Sequence, residues 1–567
     1  MMLLMYICCG RCFKWLGVAL LFLWTVLWSA AATLSEKILQ FAADEGWHQT
    51  QVRLESYALE AYERRQFEQA RWSHDYSVLA SFLAKADLRP SADPLVAKCA
   101  RDVEFVQAFA AAIHPKDKPQ QVFELLTMID QQDPDWLKNF PTLALAIALV
   151  HDQAPPQRWP HHQTGLAKSR NGQLQSAAKV YEYFQQAAQS NRLQLNLSQL
   201  SIGELKYVVD VHADFADFEW ATEAQRFSWS RIDQLYRGIA YRHDRIDQNE
   251  YHWPLKDYSL PVIQKEGGIC VDQAYFMTQV CKSRGIPSVQ ISGAGSDGYH
   301  AWVGYRDQSD WNFEVGRYGG TASFAAGKFF DPQTWKCQSD HALYYATENF
   351  LQSENYQWAR FHQKMARLLL EQDKLAAAER AVDTALDLEK KCVDAWNLKI
   401  LLLERQGAPL DQRIEVYQSA ARALTRFDEM RHRFTRQLID FLEQAGQDEA
   451  AQKMRLTIAR DQGEERPDLA IEALAKPFLE ALHHSGSRST FSELRKLITR
   501  YESQSTYLCD RLLGPYVDRC LKDSEWRLAE RAIELLLEQH QVDYGSQIDA
   551  RLKRWQSAID QARSNAP

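Results

Sequence analysis

The chain lacks the marks of nucleic-acid binding and of metal chemistry. No polybasic run occurs in it, and 66 Lys and Arg against 74 Asp and Glu leave a net charge of -8. Affinity for nucleic acid comes largely from clustered cations on phosphate, so no nucleic-acid partner is expected. No His-Glu-x-x-His sequence is present, and no Cys-x-x-Cys pair occurs after the N-terminal segment. Those are common ligand spacings of protein-bound zinc, and without them a metal-dependent hydrolase has little ground; no metal and no other cofactor is expected. Long apolar runs are missing after residue 32. Only the N-terminal segment therefore offers a membrane contact.

In that segment Arg11 and Lys14 precede an uncharged apolar run from Trp15 to Ala32, which ends in Ala30-Ala31-Ala32. Small residues at this place suit a signal peptidase, with cleavage before Thr33. The alternative is an uncleaved anchor over residues 15–32. Both readings put the body outside the cytoplasm, periplasmic or secreted, because the positive flank stays inside. Cysteine is scarce too: ten in 567 residues, with Cys8, Cys9 and Cys12 in the leader. The seven that remain are an odd number, so an exported chain carries at least one unpaired thiol, for which Cys270 is the candidate. Cys509 and Cys520 are open to a bridge, and buried free thiols throughout are the alternative.

Helical periodicity fills most of the rest. Apolar residues recur every three or four positions in LSEKILQFAADEG, QVRLESYALEAYERRQFEQARW and NFPTLALAIALV, which predicts a helical domain over 33–154. Gln153-Ala154-Pro155-Pro156-Gln157-Arg158-Trp159-Pro160 breaks the pattern and opens a linker with one helix over 155–195, with His161 and His162 on a surface loop. Residues 196–345 mix helix and strand. Val208-Val209-Asp210-Val211 has extended character, and Asp210, His212, Asp214, Asp217 and Glu219 form an acidic cluster without a calcium-loop pattern, read as a solvated loop. From 349 to 560 the chain reads as paired amphipathic helices. Leu369, Glu371, Gln372 and Asp373 are answered 34 residues later by Leu403, Arg405, Gln406 and Gly407, and Ala378-Glu379-Arg380-Ala381 recurs as Ala529-Glu530-Arg531-Ala532. This period and character resemble tetratricopeptide repeats, with a plain helical bundle as the alternative.

The chemistry concentrates between Gln264 and Val315. Gly267-Gly268 turns the backbone ahead of Ile269-Cys270, and Val271 to Arg284 has helical spacing, stopped by Gly285 and Pro287. Cys270 thus sits at a helix N-terminus, where the dipole and free N–H groups favour a thiolate and can hold an oxyanion. Cys281 lies too far along the helix to pair with it and belongs to the core. Strands are expected at Ser288–Ser292, Tyr299–Tyr305 and Trp311–Val315, with GAGSDG as a flexible loop between the first two. His300 opens the second strand, where an imidazole can take a thiol proton near neutral pH.

Together GGICVDQA and YHAWV resemble the transglutaminase-like superfamily of the papain-type fold. Gly268, Cys270 and Ala274 match its Gly-x-Cys-x-x-x-Ala helix start, Asp272 is a common companion, and His300-Ala301-Trp302 match its His-Ala-Trp strand. The likeness runs from Trp229 to Trp335. It implies an α+β domain in which the helix carrying Cys270 packs on an antiparallel sheet, flanked by the N-terminal helices and the C-terminal repeats. The family's third member, an Asp four residues after a Trp, is replaced here by Val315. Glu314 takes that role if a bulge shifts the register, with Asp331 and Asn312 as the other options. Gln264 or Trp253 would join the Cys270 N–H as oxyanion donor.

The resemblance implies an exported cysteine-dependent acyl hydrolase or acyltransferase. Cys270 would attack an amide carbon of a peptide or protein, His300 would accept its proton, and a thioester would pass to water or to an amine. A different class of reading is a non-catalytic scaffold that binds a protein partner on its helical repeats.

Overall fold

The computed structural model describes residues 34–88, 93–295, 298–317, 325–462, 466–501, 504–540, 542 and 546–564. The leader expected over 1–32 lies outside them. The class is α+β, and the chain divides into two compact units, the first ending at Gln153 and the second beginning at Ala154.

The first unit is helical. Residues 34–45 form a helix, followed by Trp47–Glu63, Phe67–Lys85, Pro94–Arg101, Val103–Ala112, Pro119–Gln132 and Pro141–His151. Pro94, Pro119 and Pro141 each open a helix, where the missing N–H costs nothing and the fixed φ is already helical. The rings of Phe82, Phe109 and Phe123 meet at 5.0–6.2 Å in its core. The last helix departs from the expected one-faced pattern: every residue from Leu143 to Val150 is buried, so it is the central rod of the unit.

The second unit is built on a five-stranded antiparallel sheet of order β3-β2-β1-β4-β5, with β1 Ser288–Gly295, β2 Gly298–Arg306, β3 Trp311–Val315, β4 Gly327–Phe330 and β5 Cys337–Ser339. The first three strands fall where expected. The GAGSDG segment does not stay a loop, because β1 pairs with β2 as far as Gly295 opposite Gly298. Packed on this sheet is the helix Cys270–Ser283, all of whose residues after Cys270 are buried. Ala274, Tyr275, Met277 and Cys281 share a core with Ala301, Val303 and Tyr305 of β2. Trp302 points to the other face, into a smaller core with Tyr207, Ile291 and Phe329.

Several local expectations change once this core exists. The proline-rich segment is no free linker: Trp159 is buried against His212 and Trp335, with ring centroids 5.4 and 5.3 Å away. His161 is buried, not at the surface, because it joins the same packing. Val208 and Val209 end the helix Ile202–Val209 instead of forming a strand, since Ser201 and Glu204 close a reciprocal cap at its start. The acidic cluster is not a solvated loop either. Asp210 is buried in an ion pair with Lys282, and Asp214 pairs with Arg170 at 2.8 Å. Ahead of the nucleophile helix the chain forms only short helical turns, Trp229–Arg231, Gln234–Arg237 and His243–Asp247.

C-terminal to the sheet the chain runs in helical hairpins: Glu354–Glu371 with Leu375–Leu388, Val393–Arg405 with Leu410–Ala423, and Asp428–Gln444 with Asp448–Asp461. Their tight turns share one device. Asp373, Gly407 and Gly446 adopt positive φ, and the N–H of the following residue reaches back to Leu369, Leu403 and Leu442 at 2.8–2.9 Å. This closure satisfies the last carbonyls of the first helix and reverses the chain. The 34-residue echo in the sequence is the echo of that turn. All seven cysteines from Cys99 onward are free thiols, Cys509 and Cys520 among them.

Candidate active site

The Gly-Gly pair sets the approach to Cys270. Gly267 has φ +74° and passes so near Ala240 that a Cβ would lie 2.4 Å from its carbonyl oxygen. At Gly268 a Cβ would meet the Asp272 side chain at 2.4 Å. That space lets the Asp272 carboxylate fold back and accept the Ile269 N–H at 2.9 Å, which caps the helix and leaves the Cys270 end uncovered. Cys270 is the only residue of its helix that is not buried.

Asp272 is itself fixed from below. Arg245 donates to it at 2.9 Å and the Tyr258 hydroxyl at 2.8 Å, both buried. Tyr258 in turn accepts from His161 Nε2 at 2.8 Å, whose Nδ1 takes the Gln163 N–H at 3.2 Å. Burial holds the His161 imidazole well below its usual pKa, in keeping with that neutral tautomer. A charge buried with an excellent set of partners fixes geometry more than it adds stability.

Around the sulfur are main-chain donors. The Ala301, Val271 and Cys270 N–H groups favour the charged form of the Cys270 thiol. Cys270 packs against the core that includes Ala301, the residue after His300 in β2. The expected low-pKa thiolate is not the resting state: burial pushes the Cys270 thiol up to about 11, and the three N–H groups only soften the rise. His300 is buried, and burial brings its imidazole down to about 4. Thiol and imidazole are therefore both neutral at rest.

His300 is oriented by the backbone. Its Nε2 lies 2.5 Å from the Gly316 carbonyl oxygen, an acceptor only, so Nε2 carries the proton and Nδ1 the lone pair. Gly316 has φ +83°, and a Cβ there would fall 2.5 Å from the Tyr236 ring. The Tyr236 hydroxyl donates to the Ala301 carbonyl at 2.7 Å and approaches that of Cys270 at 3.5 Å. One tyrosine thus touches the nucleophile helix, the histidine strand and the carbonyl that orients the histidine.

None of the proposed third members takes that place on Nε2. The bulge between β2 and β3 is there, where Val303 pairs with Val315 but Tyr305 with Asn312. Even so, the Glu314 side chain is 67 % exposed and bonds Arg317 at 3.1 Å. Asp331 is buried with Lys206 and caps the Thr334 turn at 2.9 Å. Asn312 accepts the Glu314 N–H at 2.8 Å. For the oxyanion, Trp253 is a core residue whose indole N–H already goes to the Asp257 carbonyl at 2.8 Å, and Gln264 is exposed on its helix. A glycine one residue past a strand and a tyrosine in a short helical turn carry no motif, which is why Gly316 and Tyr236 were not legible beforehand.

The hairpin that carries His300 is also held by the C-terminal helices. Thr506 Oγ1 accepts the Gly298 N–H at 3.0 Å and donates to the Gly298 carbonyl at 3.3 Å. The Tyr299 hydroxyl donates to Asp510 at 2.6 Å. Among the described residues no group of three or more His, Cys, Asp or Glu is arranged to hold a metal ion, and no helix is long and apolar enough to cross a membrane. No protein-family model matches the chain, and no curated protein matches it.

Proposed function

We propose that the protein is an exported, transglutaminase-like cysteine acyl hydrolase of peptide or protein amides, with a papain-type core and tetratricopeptide-like repeats. The observation that carries this reading is a solvent-reachable Cys270, at the start of an otherwise buried helix that packs on the strand carrying an oriented His300. His300 Nδ1 takes the thiol proton as sulfur attacks the amide carbon. The charge that develops on oxygen is met by main-chain N–H groups at the helix start. The protonated imidazole gives its proton to the leaving amine, and the thioester remains. Water, deprotonated by the same Nδ1, then releases the acid and restores the thiol. Because thiol and imidazole are both neutral at rest, proton transfer accompanies attack and does not precede it.

The test is covalent trapping with p-nitrophenyl acetate, read by mass spectrometry of the full chain. An acetyl group on Cys270, absent in Cys270→Ala and formed about 100-fold more slowly in His300→Ala, is the expected result. Acylation no faster than that of N-acetylcysteine would end the catalytic reading and return attention to the repeats as a binding surface.

A further inference from the structure

A second cavity opens beside the hairpin of His300. It has a volume of about 310 Å³ and is formed by four stretches distant in sequence: His162, Tyr251 with His252, Tyr299, and Arg551 with Arg554 of the helix Gln547–Ser564. Its size suits a group as large as an amino acid.

Its charge is unlike that of the chain as a whole. The protein carries -8 overall, yet the ionisable groups that line this cavity are two arginines, two histidines and two tyrosines, with no carboxylate. Arg551 is neutralised by Asp510 outside the cavity. Arg554 is exposed and makes no ion pair among the described residues. His162 and His252 stand near enough to repel one another; after burial, that repulsion is the main cause of the lowered pKa of His162. Two imidazoles and an unpaired guanidinium gathered without a counter-charge are a receptor for an anion, and guanidinium matches a carboxylate in two parallel hydrogen bonds.

Two residues that line the cavity belong to segments that also pack around the nucleophile helix. Tyr299 lies on the same face of β2 as Ala301, a residue of the core against which Cys270 packs. Tyr251 packs against the same core as Cys270, and its carbonyl accepts from Arg245, the partner of Asp272. We infer that this cavity is a substrate subsite for a carboxylate, so that the acyl group transferred to Cys270 belongs to an acidic peptide. The two tyrosines would flank the aliphatic part of the acid, and Arg554 with His252 would hold its charge. The inference rests on the acyl-transfer reading of Cys270.

Two iodoacetyl probes of equal size test it: N-iodoacetyl-4-aminobutyrate and its primary amide. Each alkylates a thiol with loss of iodide and of the thiol proton, and each rate is divided by its rate on N-acetylcysteine. The acidic probe should label Cys270 in preference to the amide by about fivefold or more. Arg554→Gln should abolish that preference, Arg554→Lys should keep part of it, and His252→Gln should reduce it. A preference absent from the wild type, or unchanged in Arg554→Gln, overturns the subsite. The ratio is independent of how reactive the thiol is, so it decides the subsite even where p-nitrophenyl acetate has ruled against catalysis.

Discussion

His300 and Gly316 are joined through one bond, from imidazole Nε2 to a main-chain carbonyl 2.5 Å away. A carbonyl fixes the ring and its tautomer as a carboxylate would, but brings no negative charge. An imidazolium formed here gains less than it would beside Asp or Glu, and burial alone is enough to hold the pKa near 4.

Gly316→Ala is therefore expected to harm the site and Glu314→Gln to leave it nearly intact. The new methyl would collide with Tyr236, and positive φ alone costs about 1 kcal/mol. Acetylation of Cys270 should slow by about tenfold or more with Gly316→Ala, through a displaced His300. Exposed Glu314 should change it by less than about twofold. Stopped-flow release of p-nitrophenol from both variants checks this, and a large loss in Glu314→Gln would restore the acidic third member.

The pH dependence follows from the two displaced groups. His300 binds its proton only as pH falls through about 4, below the ordinary 6.5, so its service as a base is present above that value and lost beneath it. Cys270 keeps its proton up to about 11, above the ordinary 9.0. Alkylation by iodoacetamide should climb steadily from pH 6 to 10 without a plateau. A plateau between pH 5 and 8 would mean a preformed thiolate–imidazolium pair.

The buried Arg245–Asp272 pair predicts an asymmetric response to substitution. Arg245→Met strands a carboxylate that is 0 % exposed and should cost about 3–5 kcal/mol in urea unfolding. The double variant Arg245→Met with Asp272→Asn should recover part of that loss. Equal destabilisation by the single and double variants would show that the pair is not the source of the cost.

Thr506 offers a test of the hold that the C-terminal helices have on the hairpin. Thr506→Ala removes both bonds to Gly298 and leaves a buried N–H unpaired, at about 1–3 kcal/mol. Amide exchange at Gly298 and Tyr299 should quicken, and Cys270 acetylation should fall, whereas the same substitution at exposed Thr425 should do neither. Unchanged exchange at Gly298 would dissociate the helices from the site.

What the sequence by itself determined is local. Gly-Gly before a cysteine, helical spacing after it, alternating strands and the positive-φ turns at Asp373 and Gly407 all act over a few residues, and the elements stand where that chemistry puts them. The place of Cys270 was legible for the same reason, since it starts its helix, and His300 stands two residues inside its strand. Tertiary structure alone decided the rest. Which acceptor meets Nε2 depends on where β3 ends and on a carbonyl that every residue possesses. The protonation of Cys270 depends on burial, which outweighs the helix dipole that the sequence announces. The ion pair of Asp210 with Lys282 and the basic cavity at Arg554 join residues far apart along the chain, a proximity created only when the second unit closes its core.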